Sequence, residues 1–388
     1  MNKFEGKGSS PFYPDQPVPF ELFSGRRNEI EHILRRGVGQ VELGKPVTVF
    51  LEGDYGIGKT SLAKFTQYVA EREHGLLGIY ATLAGVKTLD DVGVSILQAT
   101  ISAGAFDIRL QETIRNALSA YISEINVFGL LKLNTAALKK DAPNVTGGLL
   151  PFLKATLSHV KDKGIKGLFL VLDEINGVAS NEDFAHFLKA TVDRNAARST
   201  DEPAIPLLIM VCGVAERRKQ LIKCHEPVAR IFDVVNISRL SNEDVREFFV
   251  KSFDQARMTV KDKALDMLTD YSAGLPKVMH LLGEEAYWQD SDRIIDEIDA
   301  AEAVILAAEE FGKKYVDQQL FASLRSKDYL SILNKIAKKD LEISFTRGEI
   351  LQQLTETEKG KLDNLLQRMK TLKVIKSGPI QGEFIFYS

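Results

Sequence analysis

Val47-Thr48-Val49-Phe50-Leu51-Glu52-Gly53-Asp54-Tyr55-Gly56-Ile57-Gly58-Lys59-Thr60-Ser61 is the stretch that decides the fold. Gly53 to Thr60 satisfies G-x-x-x-x-G-K-[ST], the phosphate-binding loop pattern. Each part has a physical task. The glycines allow backbone angles and a close approach that a Cβ would block. Consecutive backbone N–H groups, those of Asp54, Tyr55 and Ile57 among them, then face one cavity and hold phosphates. The helix that follows from Ser61 adds its positive N-terminal end. Lys59 reaches the β- and γ-phosphates as a point charge, and Thr60 ligates Mg²⁺. The flanks agree: Val47–Leu51 reads as the strand leading in, and Ser61–Glu73 as the helix leading out. ATP and Mg²⁺ are the expected ligands.

A second stretch completes the first. Leu168-Phe-Leu-Val-Leu-Asp173-Glu174 is an apolar strand ending in two carboxylates. A strand covered on both faces cannot bury charges, so the pair belongs at its C-terminal tip. In open α/β sheets ligands bind at that edge. Asp173 is expected to hold Mg²⁺, directly or through water, and Glu174 to orient and polarise the attacking water. A small-molecule kinase, whose substrate brings its own nucleophile, needs no second acid, so the pair points to hydrolysis.

Outward from these motifs, residues 23–238 alternate. Short apolar runs recur at Val47–Leu51, Gly78–Leu83, Gly167–Leu172, Pro206–Cys212 and Val234–Ile237. Helical periodicity fills the gaps, as in Leu62–Glu73, Val92–Ala103 and Phe184–Val192. Such alternation predicts an α/β core with a parallel five-stranded sheet covered on both faces. Ile125–Gly148 fits neither period and reads as a loop or hairpin insertion. Residues 1–22, with Pro11, Pro14, Pro17 and Pro19, form an extended lead-in that Phe12, Tyr13 and Phe20 pack against the body. Residues 239–319 read as an all-helical domain with helices near 242–256, 261–271, 277–288 and 298–324, opened by Ser241 and Asp244 in a variant capping box. Residues 320–388 give helix (Lys327–Lys338), apolar stretch (Ile343–Thr346), helix (Arg347–Leu354), polar turn (Thr355–Lys361), helix (Leu362–Leu372) and two strands (Val374–Lys376, Glu383–Tyr387), the outline of a winged helix-turn-helix.

The totals set bounds. At 388 residues the chain needs more than one core. Its 44% hydrophobic and 27% charged residues are those of a globular protein, and a net charge of −3 excludes an overall polycation. The two cysteines, Cys212 and Cys224, follow no metal spacing and suit a reducing compartment. The opening residues show no apolar signal-peptide run, and the longest apolar run, Ile205–Ala215, is too short for a bilayer. A cytoplasmic protein without membrane contact is expected.

Phe23-Ser24-Gly25-Arg26 followed by Glu29 resembles the F-x-G-R-x-x-E opening of AAA+ ATPases. It is most similar to the branch holding origin-recognition initiators, archaeal signalling ATPases and bacterial transposition regulators, which grades into the STAND signalling ATPases. The resemblance takes in the opening box, both Walker motifs, a helical lid and a terminal winged helix. It implies that Gly25 and Arg26 hold the adenine ring. It implies that Gly274-Leu275-Pro276-Lys277 is the lid motif whose basic residue senses the γ-phosphate. Relatives often carry Arg there, and Lys cannot make the bidentate fork. It implies that Arg230, in Val228-Ala-Arg230-Ile-Phe232, reaches a neighbour's ATP, hence a nucleotide-dependent homo-oligomer. One departure stands out: the polar side chain relatives place at the tip of the fourth strand is not obvious in Met210-Val211-Cys212-Gly213.

The last domain is locally basic. Residues 320–388 hold twelve Lys/Arg against eight acids in a chain of net charge −3. In its third helix Leu362, Leu365, Leu366, Met369 and Leu372 form a buried stripe, and Lys361, Asn364, Arg368 and Thr371 share the opposite face. Those residue types suit phosphates and base edges of duplex DNA. Two functions are consistent with this: an ATP-driven switch acting on DNA, or a STAND-like signalling or defence ATPase whose winged helix contacts a protein partner.

Overall fold

The computed structural model describes residues 7–104, 111–114, 145–197, 203–313, 326–337, 344–371 and 374–386. Most of the Ile125–Gly148 insertion, the end of the helix expected at 298–324, and Leu372 lie outside them. Packing divides the chain into two compact units. One is Gln16–Arg239; the other combines Met1–Asp15 with Leu240–Ser388.

The first unit is built on five strands: β1 (Val47–Glu52), β2 (Leu76–Thr82), β3 (Gly167–Asp173), β4 (Leu207–Gly213) and β5 (Asp233–Asn236). They pair in the order β2-β3-β4-β1-β5, and every pairing is parallel. All seven residues of β3 and all seven of β4 are buried, as the continuous apolar runs require of central strands covered on both faces. The covering helices include α1 (Arg27–His32), α2 (Gly39–Glu42), α3 (Lys59–His74), α4 (Leu89–Ile101), α5 (Val145–Val160), α6 (Glu182–Ala196) and α7 (Ala215–Cys224). Between α1 and α2 the chain winds as a π-helical turn, Ile33–Val38. α5 corrects the sequence expectation at one point: Val145–Gly148, read as insertion, open this helix. Gly147, Gly148 and Pro151 look like breakers, but Leu150, Leu153 and Val160 give the segment a buried face that overrides them.

The second unit contains α8 (Asn242–Gln255), α9 (Asp262–Ser272), α10 (Pro276–Gln289) and α11 (Glu297–Phe311). Ser241 caps α8 by accepting from the Asp244 N–H, as its sequence suggests. The domain is not wholly helical, since β6 (Thr259–Val260) and β7 (Ile294–Ile295) pair in parallel. Two-residue strands are too short to show a period of two, which is why the sequence hides them. The lead-in contributes a strap along α10. Phe12 is buried against Phe248 and Phe253, 5.9 and 5.1 Å between ring centroids. The Tyr13 N–H donates to His280 Nδ1 at 3.1 Å, and Ser10 Oγ to Glu284 Oε2 at 2.6 Å. Gly283 makes room for this strap, because a Cβ there would lie 2.1 Å from the Phe12 ring. Within the first unit the same lead-in continues to Phe20, which stacks on Tyr68 at 4.2 Å.

The C-terminal elements run α12 (Lys327–Ala337), β8 (Ser344–Thr346), α13 (Arg347–Leu351), α14 (Glu356–Thr371), β9 (Ile375–Ser377) and β10 (Glu383–Phe386). β10 pairs antiparallel with both β8 and β9. The polar turn expected at Thr355–Lys361 is instead the first turn of α14. Thr355 and Glu358 make a reciprocal cap: the Glu358 N–H donates to Thr355 Oγ1 at 3.4 Å and the Thr355 N–H to Glu358 Oε2 at 2.8 Å.

Candidate nucleotide site

β1 ends at Glu52 and α3 begins at Lys59, so the glycine loop bridges the C-terminal edge of the sheet and a helix N-terminus. Gly56 and Gly58 take φ of 73° and 94°, angles that side chains disfavour. Gly58 is the N-cap of α3 and no side chain caps the helix, so its first N–H groups remain available to an anion. Ser61 lies in this first turn. Lys59 Nζ donates to the loop carbonyls of Gly53 and Asp54 at 2.9 and 2.7 Å, and stands 5.6 Å from the centre of the Tyr55 ring. Burial pulls the Lys59 pKa down, while the Asp173, Asp54 and Glu174 carboxylates push it back up.

The acidic strand tip lies beside the loop. Thr60 Oγ1 donates to Asp173 Oδ2 at 2.7 Å across 113 residues of sequence. Asp173 is only 3% exposed, and its other oxygen accepts the Glu174 N–H at 2.9 Å. Glu174 is exposed and sits in the left-handed region, φ 58° and ψ 51°. For a non-glycine residue that conformation is strained, the kind of strain retained at functional sites.

Two residues enter that the sequence did not single out, Tyr80 and Asn176, and Cys212 gains a place beside them. Tyr80, on β2 next to β3, donates its hydroxyl to Asp173 Oδ2. Burial, then the neighbouring carboxylate, raise its pKa well above the ordinary tyrosine value, so it stays a donor. The one signal for it was a phenol inside the otherwise apolar Leu76–Ala81 run. Asn176, two residues past Glu174, accepts from Tyr55 Oη and from Arg217 Nε, both at 3.3 Å. Cys212 is fully buried at the end of β4, where burial, then Asp173, hold its thiol protonated.

Arg26 is 7% exposed and clamps the loop rather than lying open. Its Nη2 donates to the Ile57 carbonyl at 3.0 Å, and its Nη1 to the Ser238 carbonyl and, at 3.4 Å, to Glu29. Gly25 and Arg26 both have positive φ, 70° and 64°, which turns the chain into α1. Gly53 is tight as well: a Cβ there would lie 2.8 Å from Ile57.

The other expected site residues lie elsewhere. Arg230 is exposed just before β5, at the opposite end of that strand from the phosphate loop. It lines a cleft of about 850 Å³ with Arg36, Val47 and Phe232. Pro276 and Lys277 open α10 in the second unit, and Lys277 Nζ is 3.8 Å from Asp15. On α14, Asn364, Arg368 and Thr371 are exposed, whereas Lys361 is half-buried and paired with Asp328.

The residues fit Mg²⁺. A hydroxyl and a buried carboxylate already within hydrogen-bond distance are hard oxygen donors of the kind this ion takes, the rest of its shell being water and phosphate. Among the described residues no cluster of three or more His, Cys, Asp or Glu side chains could hold a metal alone.

No protein-family model and no curated protein matches the sequence. Solved structures do. The chain is similar to the ORC2 protein of Aeropyrum pernix in its ADPNP–ADP complexes, with a TM-score of 0.55 and 15% identity over 93% of this chain and 89% of that one. It is also similar to a Walker-type ATPase of Pyrococcus abyssi, with a TM-score of 0.50 and 16% identity over 94% and 93%. At such identity the likeness establishes fold. The chain has the AAA+ P-loop fold.

Proposed function

We propose that the chain is a cytoplasmic, Mg²⁺-dependent ATPase that works as a nucleotide-driven switch and couples its state to DNA. The observation that carries the ATPase is the meeting of Thr60 with Asp173 at 2.7 Å beside Lys59 and Glu174. The fold shared with a Walker-type ATPase supports it. The loop N–H groups and Lys59 bind the β- and γ-phosphates, and Thr60 and Asp173 hold the metal. Glu174, exposed at the strand tip, accepts the proton of the attacking water. Mg²⁺, when bound, offsets the phosphate charge. Gly25 and Arg26 shape the adenine end, Arg26 by fixing the loop through Ile57. Lys277 senses the γ-phosphate. Arg230 serves a neighbouring copy, giving a nucleotide-dependent homo-oligomer; its exposure, with no ion pair among the described residues, supports that role.

Coupling to DNA rests on the C-terminal elements, whose order is that of a winged helix, with Asn364, Arg368 and Thr371 exposed along α14. A specific observation favours the second reading, a STAND-like ATPase whose winged helix contacts protein. Lys361 is held by Asp328, and Arg347 makes a two-pronged pair with Asp363 at 2.7 and 2.8 Å, so part of the basic surface is neutralised internally. Phosphate release from ATP and Mg²⁺, measured with and without duplex DNA and with Lys59→Ala as blank, decides between them. Turnover that rises with DNA supports the first. Turnover indifferent to DNA yet lost in Lys59→Ala supports the second.

A further inference from the structure

Helix α7 carries two consecutive arginines in its first turn, Arg217 and Arg218. Cations are disfavoured at a helix N-terminus, because the macrodipole is positive there. Arg218 has a compensating partner: its Nε donates to Glu52 Oε2 at 2.6 Å, at the end of β1. Arg217 does not. Its Nε donates to Asn176 Oδ1 at 3.3 Å and its Nη1 to Gln220 Oε1 at 2.9 Å, both neutral acceptors. It is half-buried, and among the described residues it makes no ion pair. A guanidinium cannot shed its proton, so with neutral acceptors beside it Arg217 keeps a full positive charge that a nearby anion would complement.

Its position says which anion. β4 ends at Gly213, so Arg217 stands at the same edge of the sheet as Gly53–Thr60 and Asp173–Glu174. The Asn176 oxygen that it shares also accepts from Tyr55 of the phosphate loop, and the Asn176 N–H donates to the Glu174 carbonyl at 2.7 Å. One short chain of hydrogen bonds thus joins the loop, the segment behind the candidate base and the start of α7. The tip of β4 itself offers only Gly213.

We propose that Arg217 is a further cation of the site, beside Lys59: it contacts the terminal phosphate of a bound nucleoside triphosphate and stabilises the charge that develops there. The proposal rests on the ATPase reading above. In that step a water oxygen bonds to the γ-phosphorus, the bond to the β–γ bridging oxygen breaks, and Glu174 takes the water proton. ADP and phosphate leave, and no further reactant is needed. Arg217 stays protonated throughout and acts by charge alone.

The test compares Arg217→Ala, Arg217→Lys, Arg218→Ala and Lys59→Ala in the full chain. It reads kcat, KM, melting temperature and the calorimetric affinities for ATP and ADP. Arg217→Ala is expected to lower kcat about 100-fold and to weaken ATP binding about tenfold, with ADP binding changed less than about twofold. Arg217→Lys should fall between it and the wild type. Arg218→Ala should leave kcat within about twofold and lower the melting temperature. The proposal is overturned if Arg217→Ala turns over normally, or if ATP and ADP affinities fall together, as a merely structural role would give. A wild type no faster than Lys59→Ala would sink the hydrolysis reading instead. The ATP-over-ADP preference would then still decide for or against Arg217.

Discussion

The phosphate edge of the sheet and the C-terminal module handle charge in opposite ways. At the edge, Lys59 and Arg217 hydrogen-bond to neutral oxygens, and Glu174 is held exposed in a strained backbone conformation. In the module, cations are matched to acids of the same module: Lys335 with Glu358 at 2.5 Å, Lys359 with Glu356 at 2.6 Å, Arg347 with Asp363, and Lys361 with Asp328. The twelve Lys/Arg of residues 320–388 therefore overstate the free cations that a polyanion would meet, although pairing leaves the net charge as it was. A charge left without its opposite costs stability and persists where a ligand supplies the opposite, whereas a matched charge belongs to folding.

That contrast can be broken or sharpened, beginning with the largest effect. Tyr80→Phe removes a donor from Asp173 while keeping the ring. We expect the Mg²⁺ needed for half-maximal turnover to rise about 10- to 100-fold, checked by metal titration. An unchanged requirement would make Tyr80 a packing residue. Next, Glu358 accepts from Lys335, Ser331 and Thr355, which hold its carboxyl down to about 2. A depressed carboxyl stabilises the fold above its unfolded value near 4.5, and that stability is lost as pH falls toward 2. Glu358→Gln should therefore lower the melting temperature at neutral pH and flatten its decline between about pH 4.5 and 2. Equal slopes in the two proteins would refute the assignment. For DNA, Arg368→Ala should weaken duplex binding and reduce the logarithmic salt slope by about 1. Lys361→Ala should do less, because that ammonium is already matched. The smallest effect is a gain: Asp328→Ala frees Lys361 and should tighten duplex binding by a few-fold, about 0.2–1 kcal/mol. If Lys361→Ala and Arg368→Ala weaken binding equally, the internal pairing carries no weight.

Local patterns were the legible part of the molecule. All five strands of the sheet follow from apolar runs, and the loop and acid pair from fixed spacings. What stayed hidden depends on distant partners or on competing local signals. Tyr80 looks like one more strand residue until β3 brings Asp173 beside it. Arg217 looks like one of several helix-surface cations until Asn176 is placed against it. The pairing of Lys361 with Asp328 spans 33 residues, so charge counting could not anticipate it. Thr355–Lys361 is polar enough to read as a turn, yet Thr355 and Glu358 are placed to cap a helix. At Arg26 the resemblance supplied a place near the nucleotide, and the structure adds what the side chain does there: it braces the phosphate loop through Ile57.

The central claim is that ATP is split at Lys59, Thr60, Asp173 and Glu174. The direct test is Glu174→Gln, with ATP binding and phosphate release measured side by side under Mg²⁺. The account predicts ATP affinity within about threefold of the wild type and release slowed roughly 10²- to 10⁴-fold. Wild-type release from the Glu174→Gln protein would contradict it.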